Sequence, residues 1–120
     1  MTNDRRTLVF LTRSDGTAVR LAGSCALAAA AMGDRVDVFL LGDAVRAVVE
    51  GAGEPAGEPD EPAVALFQAR QAGTCRIFAC SQGVVESGLD PAAAQAVLDA
   101  VVGWPTILEW TRGVADRFFF

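Results

Sequence analysis

Three short apolar runs, each followed by a stretch of helical composition, constrain this chain more than any other feature. Thr7-Leu8-Val9-Phe10-Leu11 is β-branched and aromatic and gives way to the polar loop Arg13-Ser14-Asp15-Gly16, the pattern of a strand buried on both faces. Residues 35 to 41 and the run Cys75-Arg76-Ile77-Phe78-Ala79-Cys80 read as the second and third strands. Residues 17 to 32 form an Ala-rich helix, with Thr17 or Asp15 able to cap its start and Gly33 placed to end it. Gly42-Asp43 opens a short helix that stops at Gly51, and a further helix runs from about Pro62 to Ala72. Ser81 begins a helix that ends near Gly88, and Asp90-Pro91 caps another over 91 to 98. Residues 100 to 103 fit either a strand or the tail of that helix. Residues 105 to 113 read as a last helix and 115 to 120 as a closing strand.

Strands alternating with helices imply parallel pairing through right-handed crossovers. The expectation is an α/β fold, a three-layer α/β/α sandwich with a mostly parallel, flavodoxin-like sheet of about five strands. Its 120 residues make one domain, large enough to bury a core without staples. In the commoner layouts the first strand lies between the second and the third. The ligand crevice then opens beyond the ends of the first and third strands, where Thr12-Arg13-Ser14 faces Cys80-Ser81-Gln82. The segment 53 to 62, with three prolines and four acids, is expected to be an exposed loop.

Composition narrows the chemistry. All ten basic residues are Arg, and the chain holds no Lys, His or Tyr. Without His there is no Ser-His-Asp triad, no Cys-His pair and no imidazole metal site; without Lys there is no Schiff base and no P-loop. No Gly-x-Gly-x-x-Gly follows the first strand, so a dinucleotide fold lacks its fingerprint; no metal and no cofactor are expected. Fifteen acids against ten arginines give a net charge of -5, which disfavours nucleic acid and anionic membrane as partners. No stretch reaches membrane-spanning length, and the polar start, Met1 to Arg6, does not read as a signal peptide. Three cysteines without framework spacing fit a reducing compartment, and the expected location is the cytoplasm.

Of those cysteines, Cys80 ends a strand and leads into a helix, where free amides and a nearby Arg favour a thiolate. It reads either as a nucleophilic, persulfide-carrying thiol or as a small hydrophobe at the top of the core. Cys75, five residues earlier, lies about 16 Å away along an extended strand and on its other face, so the two cannot pair. Cys25, among alanines, reads as core or interface. Arg13 is placed to hold a substrate anion or the Cys80 thiolate, or to pair with Asp15; Ser14, Ser81 and Gln82 complete the candidate ligand-binding set.

The stretch AAAAMGDRVDVFLLGDAV at 28 to 45, RIFACSQGVVESGLD at 76 to 90 and the ending 104 to 120 together resemble the DsrE/DsrF-like family. The resemblance implies a three-layer α/β sandwich assembled as a homotrimer or hexamer. It also implies, in members of sulfur-relay type, a Cys that takes up and hands on a persulfide sulfur from donor to acceptor proteins. Cys80 occupies that position. The expected function is therefore a small cytoplasmic sulfur carrier of sulfurtransferase type. The alternative is a non-catalytic oligomeric binding module for a small anionic ligand or a protein partner, motivated by the nearly all-apolar first helix.

Overall fold

The computed structural model describes residues 5–53, 57–113 and 116–120. Five strands and six α-helices alternate: β1 (Arg6–Leu11), α1 (Gly16–Ala31), β2 (Arg35–Leu40), α2 (Asp43–Gly51), a 3-10 turn (Glu61–Ala63) leading into α3 (Val64–Gln71), β3 (Cys75–Cys80), α4 (Ser81–Glu86), α5 (Pro91–Val97), β4 (Ala100–Val102), α6 (Trp104–Trp110) and β5 (Asp116–Phe119). The ambiguous 100 to 103 segment is thus a strand at its core. Of the loop at 53 to 62 and the closing strand, residues 54–56 and Ala115 lie outside the described residues, as do Met1 to Asp4.

Local chemistry sets the boundaries. Asp15 caps α1, its carboxylate accepting from the Ala18 N–H at 3.1 Å, and Asp90 caps α5 by accepting from the Ala92 N–H at 3.0 Å. Gly33, at φ +89°, turns the chain out of α1 towards β2 in a conformation that a side chain resists.

The sheet is wholly parallel, in the order β4-β3-β2-β1-β5. The class matches the expectation, but the neighbours of β1 do not: it lies between β2 and β5, and β3 sits beyond β2. Three successive crossovers step the same way, so their right-handedness lays α1 to α5 on one face. Only the return from β4 to β5 runs backwards, and it carries α6 to the other. Alternation along the strands divides the core accordingly. Val9, Leu11, Val36, Val38, Leu40, Ile77 and Ala79 pack under the larger helical layer. Leu8, Phe10, Phe39, Phe78 and Cys80 face α6 and its Ile107.

On the α6 side the register aligns four phenylalanines across four strands. Phe119, Phe10, Phe39 and Phe78 stack in turn, with ring centroids 4.9, 5.4 and 5.6 Å apart, and Trp110 of α6 closes edge-on over Phe78 at 4.9 Å.

In the opposite layer α1 meets α3 at Gly23, where a Cβ would stand 2.7 Å from the Leu66 backbone nitrogen. Backbone cannot move aside as a side-chain tip can. Gly23→Ala gains about 1 kcal/mol of helix propensity and loses more by forcing the helices apart, for a net destabilisation of about 1–2 kcal/mol. Urea unfolding measures it, and an unchanged midpoint would show that the two helices separate without cost.

Candidate functional site

Cys80 is the last residue of β3 and the N-cap of α4, in an extended conformation (φ -69°, ψ 128°). Its side chain packs on the α6 side with Phe78 and Ile107, and the residue is 4% exposed. Above it, at the carboxyl edge of the sheet, opens a cavity of about 180 Å³. Leu41 and Gly42 after β2, Gln82, Gly83 and Glu86 of α4, and Trp104 of α6 complete its wall. The start of α4 comes so near the start of α2 that a Cβ on Gly83 would stand 2.8 Å from Val45 Cγ2 and 3.3 Å from the Gly42 nitrogen.

The five residues expected at the site do not all converge. Cys80 and Gln82 share this cavity, where the Gln82 side-chain amide donates to Glu86 Oε1 at 2.9 Å. Ser81 is exposed on the first turn of α4. Ser14 lines a neighbouring cavity of about 460 Å³ shared with Gly42, Arg46 and Glu86. Arg13 lies elsewhere: it lines a third cavity, of about 360 Å³, beside Phe119 and Phe120 of the β5 segment, and its Nε pairs with Asp15 at 2.9 Å. The cause is the strand order, since β2 separates the ends of β1 and β3 that were expected to adjoin. The Ala18 N–H bond, with Arg13 beside it, holds the Asp15 carboxyl below its ordinary value.

The cation beside the Cys80 cavity is instead Arg46 of α2, held by Glu50 at 2.8 Å and donating to the Ser87 carbonyl at 3.2 Å. Sequence reading missed it, together with Trp104 and Glu86. The available signal was the Gly42-Asp43 turn, because whichever helix follows a strand flanking β3 starts near Cys80.

The other thiols are placed differently. Burial pushes the Cys25 thiol up. Burial first, and then the negative charges of Asp37 and Asp99, push the Cys75 thiol up to about 12. Both are held as neutral packing groups, whereas Cys80 lines the cavity at the carboxyl edge of the sheet. Among the described residues no cluster of acids and cysteines is placed to hold a metal ion, and no helix is long and apolar enough to cross a membrane.

Solved structures of the same fold cover nearly all of the chain. A conserved protein of unknown function from Bacteroides thetaiotaomicron, BT1422, superposes with a TM-score of 0.74 at 14% identity, over 96% of this chain and 94% of its own. MTH1491 of Methanobacterium thermoautotrophicum, also of unknown function, gives 0.69 at 22% identity over 95% and 99%. The ychN protein of E.coli gives 0.64 at 16% identity over 97% and 99%. No curated protein matches the chain by sequence. The family model of the DsrE/DsrF-like proteins matches residues 5–119, from the residue before β1 to the last residue of β5. That span takes in every strand and helix described above, and the chain belongs to the DsrE/DsrF-like family.

Proposed function

We propose that the protein is a sulfur carrier that holds a persulfide on Cys80. The observation that carries this reading is the position of Cys80: of three thiols, it lines a cavity at the carboxyl edge of the parallel sheet, where α/β folds place their ligands. Membership in a family of sulfur-relay type supports it. In the first step the Cys80 thiolate attacks the outer sulfur of a donor persulfide, R–S–SH. A new S–S bond forms, the donor's S–S bond breaks, and R–S⁻ leaves with the electron pair, giving Cys80–S–SH. In the second, an acceptor thiolate attacks that outer sulfur and releases the Cys80 thiolate. Each step exchanges one S–S bond for another and begins and ends on a thiolate, so no oxidant is required and neither step moves a proton, which suits a chain without His.

Gln82 and Glu86 are polar side chains lining the Cys80 cavity, Ser81 follows Cys80 on the first turn of α4, and Arg46 and Ser14 line the adjoining cavity. Arg13 has no part in this version, being held by Asp15 at the β1–β5 end. The same reading takes the working form to be a cytoplasmic homotrimer or hexamer that meets donor and acceptor proteins. Exposed Trp104 and Leu108 on α6 support a protein contact beside the cavity.

The depth of Cys80 favours a second reading, a binding module in which the thiol only packs. Intact-protein mass spectrometry after incubation with a persulfide donor separates the two. The carrier gains about 32 Da per added sulfur on the wild type, removable by dithiothreitol, and gains nothing on Cys80→Ser. An unmodified wild type whose Cys80 also alkylates slowly would leave the binding module standing.

A further inference from the structure

The arginines are unevenly neutralised. Arg5, Arg13, Arg20, Arg46, Arg70 and Arg112 each hold a carboxylate of their own. The other four, Arg6, Arg35, Arg76 and Arg117, have one carboxylate among them, that of Asp37, held by Arg6 and Arg76. They also share one face. Alternation from Leu8, Phe39, Phe78 and Phe119 puts all four on the α6 side of the sheet, in the half nearer the amino ends of the strands. Arg6 stands opposite Arg35, and one row further on Arg117, Leu8, Asp37 and Arg76 are consecutive neighbours across four strands. Asp37, its side chain 6% exposed, lies 3.1 Å from both Arg6 and Arg76. Arg35 and Arg117 are exposed and make no ion pair among the described residues.

These rows therefore carry four positive charges and one negative in a chain whose net charge is -5. Beside them the aromatic row ends in Phe119, 69% exposed, and the Arg76 guanidinium lies over the Phe78 and Trp110 rings at 5.1 and 5.5 Å. Guanidinium forks match carboxylates two bonds at a time, and arginine with exposed aromatic surface is the composition of protein interfaces. A nucleic acid or an anionic bilayer would bring the negative remainder of the molecule against a dense array of like charge, whereas a protein segment presents its carboxylates locally.

We propose that this face docks an acidic segment of another protein, with carboxylates on Arg35 and Arg117 and an apolar side chain on Phe119. The inference does not depend on sulfur chemistry at Cys80. It is tested by NMR titration of the labelled full-length chain with a synthetic peptide alternating Asp or Glu with Leu and Phe, against the same peptide with Asn and Gln for the acids. Resonances of Arg35, Arg76 and Arg117 move with the acidic peptide, the response fades with added salt, and Arg35→Gln/Arg117→Gln weakens binding about tenfold or more. Arg20→Gln, on α1 in the opposite helical layer, binds as the wild type does. The proposal is overturned by no response, by an equal response to the neutral peptide or by shifts centred on Arg20. Tighter binding of these arginines to phosphatidylserine vesicles or a single-stranded oligonucleotide overturns it as well. So does a change in oligomer mass on Arg35→Gln/Arg117→Gln, which would mean that a second copy of the chain already covers the face.

Discussion

Phe39→Ala is expected to cost about 3–5 kcal/mol of folding stability. Phe39 is wholly buried in the central strand of the sheet and touches Phe10 on one side, Phe78 on the other and Trp110 above, at centroid distances of 5.4, 5.6 and 6.3 Å. Its truncation removes the middle ring from a stack and leaves a cavity under a helix of only seven residues. The rings around it are held by strand register and cannot slide in to fill the space. Phe119→Ala, at the exposed end of the same stack, is expected to cost less than about 1 kcal/mol. Denaturant unfolding compares the two through the midpoint at constant m-value. Were Phe39→Ala to lie within about 1 kcal/mol of the wild type, the aromatic row would not be the core of that layer.

The second large effect lies in the alkaline range. Cys75 has its thiol pushed up from 9.0 to about 12 by burial and by the nearby Asp37 and Asp99 carboxylates. Between those values the unfolded chain has released the Cys75 proton and the folded chain retains it. The contribution of Cys75 is thus fully present below pH 9 and is lost as the pH rises towards about 12, at a slope of about 1.4 kcal/mol per pH unit and a total of about 4 kcal/mol. Cys25, also shifted upward, adds in the same direction. The absence of Lys and Tyr makes the experiment unusually clean, since most of what titrates in that range in other proteins is missing. Equilibrium unfolding at intervals from pH 8 to pH 11 is expected to show the decline in wild type and a shallower one in Cys75→Ala. Equal slopes would mean that Cys75 is not the group responsible.

Much of the fold could be read residue by residue. Asp15, Asp90 and Gly33 mark ends of elements because capping and left-handed turns are local chemistry, and β3 runs from Cys75 to Cys80 as its apolar pattern implies. The order of strands could not be read in the same way. Which strand occupies the far edge of β1 is decided by Phe119 stacking on Phe10 and by the ladder from Thr7↔Asp116 to Phe10↔Phe119, contacts between residues more than a hundred positions apart. No short window of sequence contains them.

The site inherits that division. Cys80 at a strand end, with Gln82 beside it, follows from local pattern, whereas Arg13 was matched to it through an assumed neighbour. The arginine rows did leave a trace. Asp37-Val38-Phe39, Arg76-Ile77-Phe78 and Arg117-Phe118-Phe119 each set a charge two residues before a phenylalanine, the signature of a strand face that is dry at one end and wet at the other.

The placement of β5 also has a consequence for how the molecule is made. β1 to β4 can assemble by adding each strand next to its predecessor, but β1 keeps one open edge until residues 116–119 arrive. During synthesis the oldest strand therefore waits for the youngest, and the loop closed by their pairing is the longest in the sheet. That ladder is expected to form late and slowly, and until it forms the β1 backbone is the part of the nascent chain most open to mispairing. The Thr12 N–H and hydroxyl, both bound to the Phe120 carbonyl oxygen at 2.8 and 3.0 Å, are the latch that ends this interval.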